Sequence, residues 1–338
     1  MLKTALRLLV ALGVSGVCLY YATRGTDWAG VMQLVASAHV GWIVGVVLLS
    51  LTCHLLRAQR WRILLRPVVD APYGAAVSAT LVGFGASMVL PLRLGEIVRP
   101  ALLARRTRIA LTPAVASIVI ERLLDMLLVV MCFVVVTTIF PDLASYRAMA
   151  LALGAGGASA LGFLYYMARH RSRADRVLER LTSRLPLRVQ RVVRPIASGV
   201  LDGARGLGDA ATLAYVLGLS ALLWALITGT YLLSFLAVDL PVPLVSASLA
   251  TVVIVALFVF LPQGPGFVGT WQAACVVSLA LFHIGKDQAV GYSLITWVIQ
   301  MGVNVGAGAV AAAFQDFSVR QLMERPEDDV AVPSSGNR

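Results

Sequence analysis

The chain has few charged residues: they make up 13% of its 338 residues, whereas 59% are hydrophobic. An average soluble domain is about a quarter charged and about half apolar. A soluble fold of the present composition would leave large apolar patches in contact with water. The scarcity of charge therefore excludes an ordinary soluble protein and indicates an integral membrane protein.

Cysteine and histidine are also scarce, with four of each. The cysteines are scattered through apolar segments without a Cys-x-x-Cys pair, which is typical of small buried residues and not of a disulfide or zinc framework. The histidines have no spacing that would suit a metal site. We therefore expect neither a metal nor a cofactor.

Lysine is nearly absent, so arginine supplies almost all of the basic residues behind a net charge of +11. These arginines lie between apolar blocks, as in cytoplasmic loops that face anionic lipid, which argues against a nucleic-acid partner. The planar guanidinium of arginine binds phosphate through two hydrogen bonds. The preference for arginine thus suggests phosphate contact, although a GC-rich genome would produce the same bias.

Apolar stretches near the length of a spanning helix, about 20 residues, occur at six places. They cover residues 4–23, 40–57, 112–140, 147–168, 210–238 and 286–314. The first resembles a signal peptide without a cleavage site, so we expect a retained helix. Two shorter stretches end at Pro91 and Pro262, and a glycine and a second helical stretch follow each one. We predict an all-α fold of six transmembrane helices and two re-entrant helical hairpins.

Arginine and lysine in the connecting segments predict the orientation. Lys3 and Arg7 place the N terminus in the cytoplasm, and we expect the protein to lie in the cytoplasmic (inner) membrane. Arginines near residues 57–66 and 105–108 favour the same side, yet only one broken stretch separates them, which a re-entrant hairpin explains. Residues 169–209 carry ten arginines and four acidic residues, so we expect a basic cytoplasmic loop with an amphipathic interfacial helix that binds anionic lipid.

The two halves resemble each other. Leu90-Pro91-x-x-x-Gly95 matches Leu261-Pro262-x-x-x-Gly266, and a further similarity follows each motif at nearly the same spacing. Counting spans places the second hairpin on the outer side and both termini in the cytoplasm. We therefore predict one membrane domain, residues 1–318, with inverted repeats at about 40–140 and 210–314. Residues 319–338 are expected to form a flexible tail.

The predicted helix 112–140 contains Glu121, Arg122 and Asp125, which fall on one face. Glu121 would lie roughly 14 Å from the helix end, at 1.5 Å per residue. A charge at that depth costs at least about 2.5–3.5 kcal/mol, so the three residues should face a polar cavity. We expect Glu121 and Asp125 to serve in coupling or charge balance. The alternative is an Arg122–Asp125 pair that only locks the helix bundle.

The hairpin tips supply the remaining candidates for substrate binding. At the first tip, Gly95 and Glu96 would begin a helix whose free N–H groups attract an anion, and Arg93 and Arg99 would contact phosphate beside it. The alternative is that these arginines are interfacial anchors. The corresponding candidates at the second tip are Gln263, Gly264, Gly266 and Thr270. Arg122, on the predicted helix 112–140, is a further candidate for substrate binding.

These motifs resemble the flippase-like membrane family that includes the transmembrane region of lysylphosphatidylglycerol synthase. The resemblance rests on Leu90-Pro91-x-Arg93-x-Gly95-Glu96-x-x-Arg99 together with Glu121-Arg122-x-x-Asp125, and covers about residues 1–318. Many members have Gly-Gly-x-Gly and an acidic residue at the second tip. This chain has Pro265-Gly266 without that acid, so a role for it cannot be transferred.

The resemblance implies translocation of a lipid and argues against lysyl transfer, because the chain ends without the aminoacyl-transferase domain of the large synthases. We expect a non-enzymatic flippase for an amphiphile with a polar, phosphate-bearing head group. One alternative is a membrane-embedded lipid-modifying transferase with Glu121 or Asp125 as base. Another is a non-catalytic partner of a lipid-synthesis enzyme.

Overall fold

A computed structural model describes residues 2–90, 93–183, 186–205, 210–259, 261 and 263–314. The tail predicted at 319–338 and both motif prolines, Pro91 and Pro262, lie outside these residues. The described part contains thirteen α-helices and no strand. They are α1 Leu2–Thr23, α2 Trp28–Ala36, α3 Val40–Leu65, α4 Tyr73–Val89, α5 Gly95–Thr107, α6 Leu111–Ile139, α7 Arg147–Arg169, α8 Arg171–Thr182, α9 Leu187–Arg205, α10 Ala210–Ala237, α11 Leu244–Val259, α12 Thr270–Ala280 and α13 Lys286–Ala313.

Four described helical segments are long and apolar enough to cross a membrane: Val40–Leu65, Leu143–Met167, Ala210–Ala237 and Lys286–Ala313. Helix α6 has 29 residues and carries Glu121, Arg122 and Asp125 inside it. Three shorter apolar helical segments accompany them, within α1, α4 and α11. The prediction of an all-α membrane protein is thus confirmed.

Helices α4 and α5 form an antiparallel hairpin. A Cβ atom on Gly95 would lie 2.1 Å from the carbonyl oxygen of Gly83 and 2.3 Å from the amide nitrogen of Ser87. Only glycine at position 95 allows this approach, because real Cβ contacts are never so short. Arg93 adopts a left-handed backbone with φ of 56° in the turn. The glycine of the first motif is therefore a packing requirement between the two arms.

Helices α11 and α12 form a second hairpin. The two arms are joined by a hydrogen bond from Thr251 Oγ1 to Ser278 Oγ at 3.3 Å. The turn between them contains the 3-10 segment Pro265–Phe267, with φ of 68° at Gly266 and 85° at Gly269. A Cβ atom on Gly269 would lie 2.0 Å from the carbonyl oxygen of Ser15, so α1 packs directly against this turn.

Helices α3–α6 and α10–α13 pack against one another. Helices α3 and α10 run antiparallel, since Gly45 contacts Leu233 and Gly229 contacts Leu49. Helix α4 packs on α13, and helix α11 packs on α6. The first hairpin also contacts α6 through α5, and the second contacts α13 through α12. One apolar core joins α3–α6 around Trp61, and another joins α10–α13 around Phe235 and Tyr292.

The second spanning helix differs from its prediction. The prediction ended the second spanning helix at residue 57 and assigned Arg60 to a cytoplasmic flank, but α3 continues to Leu65 and Arg60 is fully buried. An arginine can be buried in this way where carboxylates neutralise it. The basic segment forms helices α8 and α9. Helix α9 packs on the start of α6, where Gly199 approaches Ala116.

Candidate functional site

Helix α6 carries both buried carboxylates of the candidate site. Glu121 and Asp125 are four residues apart, so they lie on one face of the helix. Glu121 is completely buried, and Asp125 is 9% exposed. Glu121 is ten residues from Leu111, at which α6 begins, a rise of about 15 Å.

Glu121 is surrounded by guanidinium groups from three helices. Its Oε1 accepts hydrogen bonds from Arg99 Nη1 at 3.0 Å and Arg122 Nη2 at 2.9 Å. Arg60 Nη2 lies 3.4 Å from the same oxygen. Oε2 of Glu121 is buried and has no hydrogen-bond partner among the described residues. One carboxylate oxygen therefore joins α3, α5 and α6.

Asp125 extends the network to a fourth helix, α10. Its Oδ1 accepts from Arg60 Nη1 at 2.7 Å and from Trp224 Nε1 at 3.3 Å. Its Oδ2 lies 3.3 Å from Arg122 Nη2. Arg60 Nη1 also donates to Ser220 Oγ at 3.1 Å. We call Arg60, Arg99, Glu121, Arg122 and Asp125 the charged cluster.

Aromatic side chains support the charged cluster. The Arg99 guanidinium lies over the Trp61 ring, with Cζ 4.1 Å from the ring centroid, a geometry that gives a favourable cation–π interaction. Trp61 is fully buried and donates from Nε1 to Ser117 Oγ at 2.9 Å. The position of Arg99 is thus fixed by both an ion pair and an aromatic face.

The first tip lies beside the cluster and contributes Arg99 to it. Arg93 instead pairs with Glu96 at 3.0 Å and donates to the Val259 carbonyl of α11 at 3.3 Å. Its Cζ lies 5.7 Å from the centroid of Phe267 in the second tip. Arg93 therefore connects the two hairpins, and Glu96 provides the negative charge at the start of α5.

Residues of the second tip make neutral hydrogen bonds. Gln263 Nε2 donates to the Phe258 carbonyl at 3.0 Å, and the Gly264 amide donates to Ser15 Oγ at 2.8 Å. The Gly266 carbonyl accepts from Trp297 Nε1 at 2.6 Å, and Thr270 Oγ1 donates to the Phe267 carbonyl at 3.0 Å. These four predicted residues stabilise the turn. Arg93 connects the turn to the first hairpin through its contacts with Val259 and Phe267.

Sequence reasoning missed three residues at this site: Arg60, Trp224 and Arg57. The guanidinium of Arg57 lies over the Phe84 ring, with Cζ 4.8 Å from its centroid. The signal that could have indicated further site residues is the pair of carboxylates, Glu121 and Asp125, because buried carboxylates require positively charged partners from other helices. Among the described residues, no three metal-ligating side chains converge on a point that would hold a metal ion.

The fold and site define a polytopic α-helical membrane protein with an ion-pair network buried inside its helix bundle. The family model described as lysylphosphatidylglycerol synthase TM region matches residues 8–308. The chain therefore belongs to this family. A search of curated proteins gives no match, and a search of solved structures gives none either.

Proposed function

We propose that this protein is a lipid flippase, a transporter that moves an amphiphile with a phosphate-bearing head group across the cytoplasmic membrane. The observation that carries the proposal is the charged cluster, buried among α3, α5, α6 and α10 of a mostly apolar protein. A head group needs a polar path through the membrane, whereas its acyl or isoprenoid tail can stay in lipid.

The packing supports an inverted-repeat transporter. Helices α3–α6 correspond to α10–α13 in their order and in their contacts, and each half packs its first hairpin arm against the last helix of the other half. Transporters of this architecture bind substrate where broken helices meet near the bilayer midplane. The contacts of Arg93 with Val259 and Phe267 provide such a meeting point. In this architecture six helices span the membrane, and the two hairpins enter it from opposite faces.

Contacts at one end of the bundle support the proposed orientation. His39 pairs with Asp239 at 2.7 Å, and Lys286 Nζ donates to the Arg24 carbonyl at 2.7 Å. These contacts connect the end of α10 with the start of α3 and the end of α1 with the start of α13, on the face that the charge distribution assigns to the outside. Both termini then lie in the cytoplasm, and the basic helices α8 and α9 face anionic lipid.

The two carboxylates have different proposed roles. Asp125 balances the charge of Arg60, to which it is bound at 2.7 Å. Glu121 has one oxygen without a hydrogen-bond partner among the described residues, so it can accept another donor when the bundle rearranges. We assign charge balance to Asp125 and a working role in coupled movement to Glu121.

Translocation in sealed vesicles tests the proposal. The wild-type protein should move fluorescent lipids with phosphate-bearing head groups between leaflets, measured by quenching from outside. Glu121→Gln should fold and lose movement, while Glu179→Gln, the same change at an exposed position of α8, should retain it. Normal movement by a well-folded Glu121→Gln protein would refute the working role.

The same variants distinguish other functions. A lipid-modifying enzyme would form product in detergent without a sealed bilayer. A non-catalytic partner of a lipid-synthesis enzyme would tolerate Glu121→Gln and would itself move no lipid in vesicles. Either result would overturn the flippase proposal.

A further inference from the structure

The charged cluster and its neighbours contain more positive than negative charge. Five arginines face three carboxylates in this region, which leaves an excess of two positive charges. The groups are Arg57, Arg60, Arg93, Arg99 and Arg122, with Glu96, Glu121 and Asp125. Uncompensated charge inside a membrane is expensive, so the excess calls for an anion.

Of the five arginines, Arg57 and Arg99 have the weakest compensation by carboxylates. Arg60 and Arg122 each lie within ion-pair distance of both Glu121 and Asp125. Arg99 shares Glu121 with them, and its Nε and Nη2 atoms are buried with no hydrogen-bond partner among the described residues. Arg57 forms no ion pair in the described part of the chain, and its Nε is buried and unpartnered.

These two guanidinium groups border the same part of the bundle. Arg57 is one turn before Trp61 on α3, so their side chains are neighbours, and Arg99 lies over the Trp61 ring. His54 precedes Arg57 by three residues on α3, so the two side chains are neighbours, and Nδ1 of the buried His54 ring has no hydrogen-bond partner among the described residues. Phe84 of α4 contacts the region from the other side, against Arg57 and His54.

We propose that Arg57 and Arg99 bind the phosphomonoester head group of a lipid. This rests on the proposed function and specifies its substrate class. A phosphomonoester carries about 1.5–2 negative charges at neutral pH, which matches the excess charge. A phosphodiester head group such as that of phosphatidylglycerol carries one negative charge, and a zwitterionic head group has none in net. Two guanidinium forks also match the several oxygens of a terminal phosphate.

Arg57 permits a test that separates ligand binding from structural support. The Arg57 side chain is only partly buried and forms no ion pair among the described residues, so it should contribute little to the stability of the lipid-free protein. Replacing it with glutamine should therefore leave the thermal midpoint of the delipidated protein unchanged or higher. The same change should weaken phosphomonoester binding at least tenfold. Arg66→Gln, at an exposed position just after α3, is the matched control and should match wild type in both respects.

The experiment measures thermal unfolding of the full-length protein in detergent during titration with dioleoyl phosphatidic acid, dioleoyl phosphatidylglycerol or dioleoyl phosphatidylcholine. We expect phosphatidic acid to stabilise wild type at concentrations at least tenfold lower than the other two lipids. Inorganic phosphate is a separate arm. Stabilisation by phosphate alone at the same concentration would overturn the assignment to a lipid.

Two results would contradict the proposal. Equal stabilisation by phosphatidic acid and phosphatidylglycerol would show that the site does not distinguish a phosphomonoester head group from a phosphodiester with a single negative charge. A lower thermal midpoint of delipidated Arg57→Gln, with unchanged lipid affinity, would show a structural cation. Vesicle assays keep this proposal distinct from the transport proposal: selective binding without translocation refutes transport alone, whereas translocation without head-group preference refutes this inference alone.

Discussion

The two hairpin tips have similar outlines but are held by different interactions. At the first tip, charged side chains make the contacts: Arg93 binds Glu96 and the Val259 carbonyl, and Arg99 binds Glu121. At the second tip, the Gly266 carbonyl accepts from Trp297, and the Gly264 amide donates to Ser15. Backbone breaks within a membrane persist only where protein or water satisfies their polar groups. Among the described residues, the first tip meets this requirement mainly with charged side chains and the second mainly with neutral hydrogen bonds.

This difference helps to distinguish charges that hold a tip in place from charges that bind a ligand. The second tip is held mainly by neutral hydrogen bonds, and its described contacts with a cation come from Arg93 of the first tip. The first tip therefore carries more charge than the second tip needs to hold its turn. These charges lie in one half only, so we expect that half to bind the polar head group, while the second half completes the cavity wall.

Among changes that leave Glu121 intact, the largest effect on stability should come from Asp125→Asn, which removes a charge partner of the buried Arg60. Breaking a buried ion pair in this way costs about 3–5 kcal/mol. Thermal or denaturant unfolding of the purified protein in detergent measures the loss. Asp70→Asn is the control: the Asp70 side chain is 76% exposed and 3.4 Å from Arg62, so about 1 kcal/mol or less is expected. Equal losses in both variants would mean that the cluster does not stabilise the bundle.

A smaller loss is expected from Gly95→Ala in the first hairpin. The new methyl group would meet the Gly83 carbonyl at 2.1 Å, and relieving such overpacking costs about 1–3 kcal/mol. Gly302→Ala is the matched change in α13, where no atom lies within 4 Å of the added carbon. That control should be neutral or stabilising, because alanine favours a helix. A neutral Gly95→Ala would contradict the close packing of α4 and α5.

At the second tip, Trp297→Phe removes the donor to the Gly266 carbonyl while keeping an aromatic ring. Loss of one hydrogen bond should lower the free energy of unfolding by about 1 kcal/mol. Trp42→Phe, at a residue that is 44% exposed, should change it less. Lipid translocation should be reduced less by Trp297→Phe than by Arg99→Gln. The opposite order would place the head group at the second tip.

The smallest structural disturbance comes from single cysteines at exposed positions that report the faces from which the hairpins enter. Arg106→Cys in α5 and Gln288→Cys in α13 are at such positions. A membrane-impermeant thiol reagent added to intact cells should label Gln288→Cys and leave Arg106→Cys unlabelled until the membrane is opened. Cytoplasmic labelling at position 288 would contradict a second hairpin entering from outside.

Helix positions were predictable because their signals are local. Proline, glycine and the length of an apolar run predict where α4 ends and α5 begins, and the structure places those bounds at Val89 and Gly95. The burial of Arg60 was not predictable in this way. Its carboxylate partner Asp125 is 65 residues away in sequence, and an arginine near a helix end looks like a cytoplasmic anchor until that partner is known.

The candidate site was predictable in part for the same reason. Glu121, Arg122 and Asp125 share a helix face, which periodicity shows directly. That Arg99 joins Glu121 while Arg93 turns to Val259 depends on how the first hairpin crosses α6 and α11. Residue spacing within one helix contains no information about such a crossing.

Native mass spectrometry of the protein, released intact from its own membrane, identifies the lipid that the charged cluster binds. We expect one class of bound lipid with a phosphate-bearing head group, enriched over its share of the membrane. Its occupancy should fall in Arg99→Gln and stay unchanged in Arg66→Gln. Bound lipids in the same proportions as the bulk membrane, or a head group without phosphate that persists in Arg99→Gln, would contradict the account.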